Sequence, residues 1–215
     1  SEPALSAAVN SGDWEAVIAL SDKISLTDHG YMFAAGLRSL ALIGLGEPET
    51  ALREQQRMIG FIINTKIDIP RNILTLHQAY VAEITGNTAE AISLYKSINL
   101  RNKKASYTLI ATTAGLWRLG EHDDAKAILR KYQGGELASE WLLHLYKTRQ
   151  TKLLQRLNLR RLFAQFIFEF NWFGSAPSGQ SLILPRIHLA LSIWPELDLG
   201  NLILAQTYFD QSDYE

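Results

Sequence analysis

Apolar residues in the second half of the chain recur at helical spacing. Phe163, Phe166, Ile167 and Phe170 stand at i, i+3, i+4 and i+7, one buried helix face, and predict a very apolar helix over Leu162–Phe173. A second helix is expected over Glu136–Tyr146, with Trp141, Leu142, Leu145 and Tyr146 on one side. A third starts near Pro185 and runs to about Trp194, where Pro195 cannot supply the amide that a continuing helix needs. Gly174, Ser175, Ala176, Pro177, Ser178 and Gly179 form a turn-rich connector between the first and third. No window alternates with period two, so no sheet is predicted.

The first half is organised by a repeated turn. Ser11–Ala16, Leu45–Ala51, Thr85–Ala91 and Leu119–Ala125 each set a glycine before an acidic or amide residue and a helix start. The glycines lie 34 residues apart from 12 to 46, 40 from 46 to 86, and 34 from 86 to 120. A glycine can take the left-handed conformation that ends one helix. Asp13, Glu47, Asn87 and Glu121 then suit the free amides and positive dipole end of the next. Ala51, Ala91 and Ala125, each five residues after its glycine, let two helices approach closely.

This pattern resembles the tetratricopeptide repeat family, whose period is about 34 residues. The small residue that the family carries seven positions before the turn glycine is matched by Ser39, Ala79 and Thr113. Tyr95 matches the aromatic of the second helix, whereas Gln55 and Leu129 depart from it. A further copy is read in the tail from Ala205, Tyr208 and Ser212–Glu215, and the chain stops where its next helix should begin, as a piece of a longer protein would. The general texture is similar to bacterial members with degenerate repeats, often exported to the cell envelope. The resemblance implies an all-α fold, a right-handed α-solenoid of antiparallel helix pairs with no sheet. Three stretches are expected: regular pairs over 1–133, an irregular helical segment with a basic run over 134–181, and a resumed, truncated repeat over 182–215.

In this family the first helix of each pair lines a concave groove. Carried onto this chain, the inward positions are Phe33, Gly36, Leu40, Ile43 and Gly44, then Ile73, Leu76, Tyr80, Glu83 and Ile84, then Tyr107, Ile110, Ala114, Trp117 and Arg118. Members that clamp a peptide carboxylate place lysine and asparagine there. These residues are instead apolar, which disfavours that clamp and suits an apolar peptide or helix. Phe33, Leu40, Tyr80, Tyr107 and Trp117 are the expected partner-binding residues, with Glu83 and Arg118 as polar guides. The groove is open to a partner or filled by the Phe163–Phe173 helix, and the sequence leaves both standing.

Composition narrows the chemistry. The 215 residues are 47% hydrophobic and 20% charged, enough to bury a core. A formal net charge of -1 argues against a nucleic-acid binder, which needs basic excess to neutralise phosphates. There is no cysteine, which removes disulfides and thiolate sites, and no run approaches the roughly 18 apolar residues of a membrane span. His29, His77, His122, His144 and His188 are never three or four apart, so no metal site, cofactor or catalytic residue is expected. Asp123 with Asp124, and Glu47 with Glu49, are explained by the helix dipole. Lys147, Arg149, Lys152, Arg156, Arg160 and Arg161 form a basic run within fifteen residues. It reads as a docking patch for an acidic partner or an anionic membrane surface, or as a solvated helix face.

The expected function is therefore a non-catalytic interaction scaffold or assembly adaptor. Two alternatives stand beside it. One is the recruiting arm of an enzyme whose catalytic domain lies beyond Glu215. The other is a homo-oligomer associating through Phe168, Trp172 and Phe173.

Overall fold

The structure, a computed structural model, describes residues 2–24, 28–65, 71–100, 106–131, 143–144, 146–148, 154–174, 183–197 and 200–201. It is all helical, with no strand among the described residues. The helices are α1 (Glu2–Ser11), α2 (Trp14–Ser21), α3 (Asp28–Gly44), α4 (Pro48–Thr65), α5 (Arg71–Ile84), α6 (Thr88–Ser97), α7 (Ser106–Arg118), α8 (His122–Lys131), α9 (Leu159–Gly174) and α10 (Ile183–Ile193).

The four turn glycines all have positive φ, from 74° at Gly12 to 88° at Gly120. Each closes the same pair of backbone bonds. At the second turn Glu47 N–H donates to Leu42 O at 2.9 Å and Gly46 N–H to Ile43 O at 3.0 Å. The residue pairs Asp13–Ala8, Asn87–Ala82 and Glu121–Leu116 repeat the first of these bonds, each at 2.9 Å. This arrangement satisfies carbonyls that a helix end leaves free, and it needs a left-handed residue that glycine supplies without steric cost. The next helix begins at once. The Asp13 carboxylate accepts from Ala16 N–H at 3.0 Å, and Asn87 does the same for Glu90 at 3.5 Å. Ala51, Ala91 and Ala125 are fully buried, and Ser39 donates to Ala51 O at 2.9 Å, tying α3 to α4.

The chain divides into two compact units that cut across the three stretches defined by the sequence period. The first comprises Ser1–Ile69 and Asn158–Glu215, the second Pro70–Leu157. In the first unit α3 packs against α2, α4 and α9, while α10 packs against α9 and α1. Residues 32–37 of α3 and 161–170 of α9 are buried without interruption. A helix buried on most of its circumference needs apolar side chains on more than one stripe, which explains why α9 is richer in phenylalanine than a single amphipathic face requires. The return of α9 and α10 onto the N-terminus is held by Ser192 Oγ–H donating to Ser6 Oγ at 2.8 Å and by Asn10 Nδ2 donating to Ser192 O at 3.1 Å. Arg160 donates to Ile193 O at 3.1 Å, joining α9 to the end of α10.

In the second unit α5 packs against α6 and α7, α6 against α7, and α7 against α8. Leu109, Ala114, Leu129 and Tyr146 form its apolar cluster, with Leu100, Ile110, Trp117, Ile128, Leu143 and Leu154 around them. Tyr146 comes from the helix expected over Glu136–Tyr146; Trp141, Leu142 and Leu145 of that helix lie outside the described residues. So do most of the Gly174–Gly179 connector and the tail copy of Ala205, Tyr208 and Ser212–Glu215. Helix α10 ends at Ile193, before Pro195, and Pro185 sits in its first turn.

Candidate interaction surface

The face of α3 that holds Phe33 and Gly36 carries a helix of the same chain. Phe33 stacks on Phe166 of α9 with ring centroids 5.8 Å apart, and Phe170 approaches it at 6.2 Å. Gly36 makes the seat: a Cβ built there would lie 2.0 Å from the Phe166 ring. The missing side chain is thus filled by an aromatic ring, a close approach only glycine permits. Gly44 does the same for Trp14, whose indole would be 2.5 Å from a Cβ. Trp14 in turn stacks on Phe163, 5.6 Å away and 4° from parallel. Phe33 and Leu40 are consequently buried, at 5% and 4% exposure. Of the two states the sequence left standing for this face, covered by α9 or open, the structure has it covered. Arg186 of α10 lies over the Phe33 ring at 4.8 Å, and desolvation depresses its pKa.

Glu83 and Arg118 meet each other. Arg118 Nε donates to Glu83 Oε1 at 2.7 Å and its Nη2 to Oε2 at 2.8 Å, a two-pronged pair joining α5 to α7. Tyr95 of α6 donates to the same carboxylate at 2.7 Å. Its ring lies over Gly115 of α7, where a Cβ would be 2.3 Å away, and packs edge-on to Tyr80. Both charged side chains are nearly buried, at 8% for Glu83 and 5% for Arg118. Burial opposes the Arg118 charge, yet the hydrogen bonds to Glu83 outweigh it and hold the guanidinium above its usual pKa. Burial first, and the Glu83 carboxylate with it, pushes the Tyr95 hydroxyl well above the ordinary tyrosine value against the pull of Arg118. These polar groups are spent on joining three helices.

Tyr80 is buried at 1% exposure, and the Tyr107 side chain lies outside the described residues. Trp117 is part exposed. Its ring lies 4.5 Å from His122 and 5.3 Å from Tyr146, with Lys126 Nζ 6.0 Å from its centroid. The Tyr146 hydroxyl is 3.0 Å from Thr113 Oγ1 and donates to Ile110 O at 3.2 Å. Among the described residues that follow α8, Tyr146 thus packs against Ile110, Thr113 and Trp117 of α7.

The basic run is divided between the units. Lys147 and Arg156 are exposed in the second, Arg160 is exposed in the first, and Arg149 and Lys152 lie outside the described residues. Arg161 is 2% exposed and lies over Trp194 at 4.8 Å, so it belongs to the core of its unit and not to a surface patch. It stands in a buried polar row on α9 with Gln165 at 4% and Glu169 at 0%. The three residues stand four apart, the spacing of one helix face. Phe168, expected at a self-association surface, is fully buried; the Trp172 and Phe173 side chains lie outside the described residues.

Among the described residues no group of three histidine or acidic side chains could hold a metal ion, and no helix is long and apolar enough to cross a membrane. An open depression of about 310 Å³ in the first unit is lined by residues including Asn10, Trp14, Asn158 and Arg160, with no carboxylate or imidazole among its lining. The chain matches no family model, no curated protein and no solved structure.

Proposed function

We propose that this chain is a non-catalytic scaffold or assembly adaptor, a right-handed solenoid of tetratricopeptide-like antiparallel pairs that holds a peptide or helix of a partner protein. The observation that carries the reading is the seat of Phe166 against Gly36. It is a helix-in-groove contact, made within one chain, on the face that the family resemblance assigns to partners. The chemistry of that face, aromatic and aliphatic with a glycine hole, is what an apolar helix requires.

Since α9 occupies the α3 face, a partner is expected at α7 and α8 instead. Trp117 is partly exposed there, flanked by His122 and Lys126. Partly exposed aromatics beside polar neighbours are the usual anchors of protein interfaces. The test is affinity capture from native lysate with the full chain, followed by hydrogen exchange on the isolated complex. Protection is expected on α7 and α8, and a His122→Ala, Lys126→Glu double variant should lose capture with its helical circular dichroism unchanged. Protection confined to other helices, with capture intact in the variant, would reject this surface. Repeated failure to capture any specific partner would reject the scaffold reading itself.

A further inference from the structure

We draw no further inference here: the strongest candidate, the apolar stripe of Leu52, Ile59 and Ile63 on α4, leaves Ile63 60% exposed beside an open Gly60, and nothing in the structure shows what covers it.

Discussion

Replacing Gly36 with alanine adds one methyl group to α3 at a point where a phenyl ring already stands. Taken alone, a glycine-to-alanine change inside a helix stabilises by about 1 kcal/mol, because alanine loses less backbone entropy. At Gly36 the new Cβ would fall 2.0, 2.5 and 2.8 Å from three carbons of Phe166. Ordinary carbon contacts lie at about 3.5–4.0 Å, so the ring would have to retreat by roughly 1.5 Å. Its retreat is blocked, because Phe33 stacks on it and Phe170 packs beside it at 5.2 Å. Overpacking of this kind costs about 1–3 kcal/mol and occasionally more, so after the gain of about 1 kcal/mol the net effect is a loss of up to about 2 kcal/mol.

Gly60 is the internal control. It also lies within a helix, α4, but nothing stands within 4 Å of a Cβ built there. Gly60→Ala should therefore stabilise by about 1 kcal/mol, and the two identical substitutions should differ in sign. Urea denaturation of the full chain gives the stabilities, and hydrogen exchange resolved by peptide shows whether α3 and α9 loosen together. Adding Phe166→Leu to Gly36→Ala should recover part of the loss, a coupling of about 0.5–3 kcal/mol expected of residues in contact. If Gly36→Ala stabilises as much as Gly60→Ala, or is indifferent to residue 166, then α9 does not occupy the α3 face in solution and the covered groove is refuted.

Three further outcomes follow from the same contacts. Arg118→Met should destabilise the second unit by about 3–5 kcal/mol by stranding the Glu83 carboxylate, and adding Glu83→Gln should restore much of it; equal losses in the single and double variants would contradict the pair. Burial pushes the Tyr146 hydroxyl up to about 12, against the hydrogen bond it shares with Thr113 and the charge of Arg118. Between pH 10 and 12 the unfolded chain then releases a proton that the folded chain keeps, so stability should fall by about 2–3 kcal/mol across that window. Urea midpoints should show this slope flattened in Tyr146→Phe, and an unchanged slope would contradict it. Asp13→Ala removes the side-chain acceptor of Ala16 N–H and should cost about 1 kcal/mol in thermal or urea unfolding, with no measurable loss as the contrary result.

The sequence by itself determined the local structure. Glycine followed by an acidic or amide residue marks the end of one helix and the start of the next, because both signals act within a few residues. All four turns accordingly have positive φ and the same nested pair of backbone bonds. The apolar spacing of Phe163, Phe166, Ile167 and Phe170 likewise determined a buried helix. What that helix packs against was decided elsewhere. Phe166 lies 130 residues from Gly36, and a period of 34 describes neighbours in the chain and says nothing about a segment that returns. The same limit applies to charge. The family resemblance puts Glu83 and Arg118 at inward positions of their own helices, and such a position can face a partner or a neighbouring side chain. Only the packing of α5, α6 and α7 showed that they face each other, with Tyr95 seated in the space Gly115 leaves. Arg161 makes the point most simply. Its sequence neighbours marked it as part of a basic surface, while burial against Trp194 removed it from that surface, because a side chain's direction is set by what its helix packs against.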